Sequence, residues 1–196
     1  MFFILKFFTP TIAIDLECQF AEEIYNCALI QVFNEETAEV FEVMGYHSYG
    51  KKNADVVGLS LSVHVLSTFP SGIDNFFPNL KYFWWNKGKL KSISSQNLKQ
   101  FRKLEELSLE RNQLKTLESD LFKHNPNLQY LYLKWNPIKS IGENLLIGLK
   151  QLRVADFTNN ECLSYIALQR SELEELKRRI WSDCPLNIMT WLPANW

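Results

Sequence analysis

Apolar positions recur along this chain with a period of 24 residues. Leu104, Leu107, Leu109, Asn112 and Leu114 spell L-x-x-L-x-L-x-x-N-x-L. Leu128, Leu131, Leu133, Asn136 and Ile138 spell it again, and Leu152, Ala155, Phe157, Asn160 and Cys162 follow at the same interval. Upstream, Leu80, Phe83, Trp85, Gly88 and Leu90 fit, as do Val56, Leu59, Leu61, His64 and Leu66, each with one departure at the Asn position. Alternation within the L-x-L core predicts a short strand, because successive strand side chains point to opposite faces. One unit cannot bury its leucines alone, so stacked units form a solenoid. Five strands are expected in one parallel sheet, about 4.8 Å per step.

The stretches between strands carry the same period. Phe69, Ile93, Leu117 and Ile141 stand thirteen residues after each repeat start, and Phe77, Phe101, Asn125 and Leu149 stand twenty-one after. These positions read as packing. The repeated Asn reads as a ladder, since an amide offers donors and an acceptor to backbone left unpaired at the turn. Asn112, Asn136 and Asn160 continue it, and His64 partly imitates it. Gly88 cannot, so the second repeat is expected to be locally looser or hydrated.

The same alternation turns another set of side chains outward. The rows are Gly58, Ser60 and Ser62; Tyr82, Trp84 and Asn86; Glu106, Ser108 and Glu110; Tyr130, Tyr132 and Lys134; and Val154, Asp156 and Thr158. Trp135 sits just past the fourth strand. Two rows put large aromatics into water, and Tyr and Trp dominate binding hot spots. Tyr82, Trp84, Asn86, Glu106, Ser108, Glu110, Tyr130, Tyr132, Lys134 and Trp135 are therefore the candidate partner-binding residues. The competing reading is that Tyr and Trp favour strands and pack on one another.

An open solenoid needs atypical ends. Residues 14–55 are expected to form an N-terminal cap, a β-hairpin or pair of strands laid over the first repeat. Residues 56–163 hold the repeats. Residues 164–196 form a C-terminal cap whose Leu173, Leu176 and Ile180 share one helix face, started by the S-x-x-E box Ser171 to Glu174 and stopped by Pro185. The four cysteines lie at the two ends, Cys18 and Cys27, then Cys162 and Cys184. Three pairings are possible. Roughly 20 Å of stacked strands separates the ends, and disulfide partners need Cα atoms within about 7 Å. Pairing is thus expected within each cap, in an oxidising compartment. Residues 1–13 read as a signal peptide ending at Thr11-Ile12-Ala13, though short and interrupted by Lys6. No later stretch approaches 18 apolar residues, so no membrane span is expected.

Net charge is −1, which gives no case for nucleic-acid binding. Charge is nonetheless segregated. Residues 1–50 hold eight acidic side chains and one Lys, whereas residues 51–103 hold nine basic and two acidic ones. The basic second repeat, around Lys87, Lys89 and Lys91, reads either as a solvated face or as an anchor for a glycan or acidic ligand. His47, His64 and His124 have no partner at metal-ligand spacing. No phosphate loop or nucleophile elbow is present. No enzyme activity, metal or cofactor is expected.

With its 24-residue period and cysteine-bearing ends, the chain resembles extracellular leucine-rich repeat proteins, the group that includes Toll and Slit ectodomains. The run Phe77-Pro-Asn-Leu80 and the short length resemble small secreted insect members. The resemblance implies an α/β solenoid, a curved parallel sheet of five leucine-rich repeats between a β cap and a helical cap. It also implies a secreted module that binds a protein, or a glycoconjugate, through the concave sheet face. Two other readings stay open: an ectodomain fragment of a leucine-rich repeat membrane receptor, and a self-associating matrix protein.

Overall fold

A computed structural model describes residues 13–21, 25–33, 39–61 and 66–186. Most of the signal-peptide reading, in residues 1–12, lies outside the described residues. So do Ser62 of the first outward row and the ladder position His64. Three strands come first: β1 (Ala13–Ala21), β2 (Asn26–Phe33) and β3 (Glu39–Met44). The repeats supply β4 (Gly58–Leu61), α1 (Ile73–Phe76), β5 (Tyr82–Trp85), α2 (Ser95–Leu98), β6 (Glu106–Ser108), β7 (Thr116–Leu117), β8 (Tyr130–Tyr132), β9 (Ser140–Ile141) and β10 (Val154–Asp156). β11 (Ile166–Ala167) and α3 (Arg170–Asp183) follow.

The five repeat strands lie side by side and parallel, in the order β4, β5, β6, β8, β10. Each step advances the register by one repeat: Gly58 pairs with Tyr82, Tyr82 with Glu106, Glu106 with Tyr130, and Tyr130 with Val154. Every inward position of one strand therefore stacks on its equivalent in the next. Leu59, Phe83, Leu107, Leu131 and Ala155 are buried, as are Leu61, Trp85, Leu109, Leu133 and Phe157. Burial of each large apolar side chain contributes about 1.5–3 kcal/mol. The return segments supply the opposite wall, through Phe77, Ile93, Phe101, Leu117, Ile141 and Leu149. Phe69 stacks on Phe83 at 5.4 Å, and Phe83 on Phe101 at 5.5 Å.

The Asn ladder holds the turns. Asn136 Nδ2 donates to the carbonyls of Leu109 and Leu133, at 2.9 and 3.0 Å, and its Oδ1 accepts from the Leu114 amide at 3.2 Å. Asn112 repeats the arrangement one unit earlier, on Trp85, Leu109 and Leu90. Each Asn thus joins two repeats. Asn136→Ala is expected to destabilise the protein by about 1–3 kcal/mol, because buried backbone groups lose their partners. Urea unfolding checks this, and an unmoved midpoint would deny the ladder any net contribution. Asn125, the exception among the return positions, serves the backbone in the same way. Its buried Nδ2 donates to the Leu98 and Phe101 carbonyls at 3.1 and 2.8 Å.

Three expectations need correction. The second repeat is not loose at Gly88. A Cβ there would collide with Trp85 Nε1 and stand 2.6 Å from Asn112 Oδ1, so the large indole fills the space of the missing side chain. The N-terminal strands do not lie over the first repeat. β2 pairs with β4 in parallel, then β1 with β2 and β3 with β1, so the sheet simply continues outward. The reason is the open edge of β4, whose backbone groups need partners. The helix start also differs. Gln169 is the N-cap of α3, which places Ser171 and Glu174 inside the helix. Glu172 accepts instead from the Leu168 amide at 2.7 Å and the Gln169 side chain at 3.1 Å, and these bonds hold its carboxyl below the usual range.

Cys18 and Cys27 join β1 to β2, with Cα atoms 5.0 Å apart. Cys162 and Cys184 join the last repeat to the end of α3, at 5.2 Å. Leu173, Leu176 and Ile180 bury the inner face of that helix. Among the described residues, no helix is long and apolar enough to cross a membrane.

Candidate binding face

The outward positions of the repeat strands form one continuous surface, because the register is constant across the sheet. Tyr82 and Trp84 stand two residues apart on β5, hence on the same face. Their rings stack at 5.8 Å with 9° between planes. Trp84 Nε1 donates to Glu106 Oε1 on the next strand at 2.6 Å. Space for the indole comes from Gly58, where a Cβ would lie 2.9 Å from Asn26 Cβ and 3.1 Å from the Trp84 ring. Tyr130 and Tyr132 follow on β8, both half-buried. Glu106 and Glu110 lie between the aromatic rows.

Two of the candidate residues work internally. Asn86 Oδ1 accepts from Ser108 Oγ at 2.8 Å and from the Glu110 amide at 2.9 Å. Ser108 is only 3% exposed, beneath its larger neighbours. It faces outward but offers a partner almost no surface, since a small side chain among Trp and Tyr sits below their level. Lys134 spans two carboxylates, 3.3 Å from Glu110 and 3.8 Å from Asp156. Tyr132 stands among these charges. Burial, then the field of Glu106, Tyr130, Glu110 and Asp156, raises its phenol above the ordinary tyrosine range.

Trp135 is 49% exposed, and the Arg111 guanidinium lies 5.2 Å from its ring centre. Its backbone is left-handed, with φ of 59°. Lys87, Arg111 and Asn159 share that conformation, at 59°, 56° and 58°. These four residues are 24 apart and each precedes a ladder position. They form a row along the rim of the sheet. Sequence analysis singles out Lys87, as part of a basic patch, and Trp135, just past the fourth strand, but not the row that joins them. The residue types differ at every step, so only the spacing from the Asn could have revealed the row. Lys89 and Lys91 are exposed beyond it.

The described histidines assemble no site. His47 lies between the Tyr25 hydroxyl, 2.7 Å from Nδ1, and Asn53 Oδ1, 2.9 Å from Nε2, and so braces the loop after β3. Among the described residues no group of three His, Cys, Asp or Glu side chains is placed to hold a metal.

A leucine-rich repeat family model matches residues 78–138 and 102–161. Residues 78–161 carry leucine-rich repeats. Similar solved structures include one from the Toll–Spatzle complex of Drosophila, with 16% identity over 63% of this chain and a TM-score of 0.49. Another comes from a complex of Latrophilin 3, Unc5D and FLRT2, with 21% identity over 55% of this chain and a TM-score of 0.42. This chain spans 17% and 39% of the length of those two chains. Comparison with curated proteins returns no match.

Proposed function

We propose that this chain is a non-enzymatic extracellular module that binds a protein partner on the outer, concave face of its sheet. The observation that carries this reading is the aromatic-acidic surface of β5, β6 and β8. Tyr82 and Trp84 form a rigid stacked pair, and Tyr130 and Tyr132 continue the aromatic area across Glu106. Rigid aromatics offer large contact area with little entropy to lose, and solenoids of this kind bind along the concave face. Trp135 with Arg111, and the exposed Lys87, Lys89 and Lys91, extend the reading to the rim, where an acidic group or glycan on the partner would meet positive charge. The disulfides at both ends suit an oxidising compartment outside the cell.

Affinity capture from the extracellular fluid of the source tissue, followed by mass spectrometry, identifies the partner. Trp84→Ala and Tyr132→Ala are each expected to weaken that complex by about 1–4 kcal/mol, read by surface plasmon resonance. Trp84 also holds Glu106, so a modest loss of stability accompanies its removal, well below that of Trp85→Ala. Undiminished binding by both variants would end the concave-face proposal.

A further inference from the structure

A second surface lies away from that face. A groove of about 830 Å³ runs between the turn leading into β10 and the first half of α3. That volume is within the roughly 300–1,000 Å³ common for ligand clefts. Its floor is apolar, built from Leu149, Leu152 and Leu173. Ile147 and Leu168 flank it, 63% and 62% exposed. Large aliphatic side chains left in water beside an apolar floor favour an apolar occupant.

The charge around this groove has one dominant sign. Lys150, Arg153, Arg170 and Lys177 line it, against the single carboxylate of Glu174. Glu174 is already taken by Lys177, at 2.9 Å. Glu174 also lies in the field of Arg170, so Lys150 and Arg153 face the groove with no carboxylate among the lining residues to answer them. A smaller hollow of about 440 Å³ shares Ile147 and Leu149 and continues the apolar track toward Phe122 and Leu145. The two hollows join into one track through the residues they share. Its complement is an extended chain carrying both carboxylates and apolar side chains.

We propose that this groove docks an acidic segment of a partner protein, its apolar side chains seated over Leu149, Leu152 and Leu173 and its carboxylates on Arg153, Arg170 and Lys150. The site is separate from the concave face and independent of what binds there. The probe is a labelled synthetic peptide of alternating Leu and Glu, followed by fluorescence polarisation with the full chain. Peptides with Lys for Glu and with Ser for Leu serve as comparisons. The Leu–Glu peptide is expected to bind best and to weaken as salt rises. Arg153→Glu with Arg170→Glu, and separately Ile147→Ser with Leu168→Ser, are each expected to weaken it at least about tenfold. Trp84→Ala is expected to leave it unchanged. If charge reversal impairs folding, Arg153→Gln with Arg170→Gln replaces it. Equal binding of the Lys and Glu peptides, or indifference to both pairs of changes, overturns the proposal. Failure of the peptide together with Arg153- and Arg170-dependent binding to phosphatidylserine vesicles would make the groove a lipid site instead. Self-association abolished by Ile147→Ser with Leu168→Ser would make it a contact between two copies.

Discussion

Trp85→Ala is expected to destabilise the protein by about 3–5 kcal/mol, the range for deleting a large buried aromatic. Trp85 is fully buried and touches Phe69, at 5.7 Å between ring centres. Equivalent positions in the other repeats hold Leu61, Leu109, Leu133 and Phe157, all smaller. The extra volume is accommodated by Gly88, three residues on. Restoring the repeat pattern with Gly88→Asn alone is therefore expected to destabilise by about 1–3 kcal/mol through overpacking. By the periodicity of Asn112, an Asn at position 88 would look for the carbonyls of Leu61 and residue 85, and Trp85 blocks the way. Trp85→Leu removes that obstacle. The double change Trp85→Leu with Gly88→Asn should then be less destabilising than the sum of the two single changes, a coupling that urea unfolding of all four proteins measures. A Gly88→Asn protein more stable than the parent would show that the indole does not occupy this space.

The second large effect concerns the helical end. Cys162 and Cys184 stand 22 residues apart in sequence and enclose β11 and α3. Closing a loop of this length restricts the unfolded chain by about 3 kcal/mol, and loss of such a bridge from a small secreted domain costs about 2–5 kcal/mol. Two hydrogen bonds fasten the same corner: the Ile141 amide donates to the Cys184 carbonyl at 2.9 Å, and the Cys162 amide to the Ile138 carbonyl at 2.9 Å. Cys162→Ala with Cys184→Ala is thus expected to lower the urea midpoint and to speed amide exchange first in α3, whose hold then rests on Leu173, Leu176 and Ile180. Exchange that stays slow in α3 while the first repeats open would contradict this account.

The outward positions of the repeat strands were legible because strand alternation needs no tertiary information. Once Leu107 and Leu109 are inward, Glu106, Ser108 and Glu110 have to be outward. How much of each outward residue is available was not legible. Ser108 faces out yet is covered, because its neighbours across the sheet are Trp84 and Tyr132. The rim row of Lys87, Arg111, Trp135 and Asn159 was hidden for another reason. A shared left-handed backbone leaves no common residue type to recognise. The groove beside α3 depends on how the helix docks, which no spacing encodes.

By itself the amino-acid sequence determined the repeat, the inward and outward faces and the stacking of Asn112, Asn136 and Asn160, since a fixed period repeats the same local interactions in every unit. Tertiary structure alone decided what happens where the period breaks. At Gly88 a neighbouring indole took the empty volume. At β4 an unpaired edge drew β2 into the sheet. At Glu172 the direction in which the chain entered α3 chose which carboxylate would meet the free amide. Each of these depends on volume or unpaired groups supplied by residues outside the local motif, so the motif could not announce them.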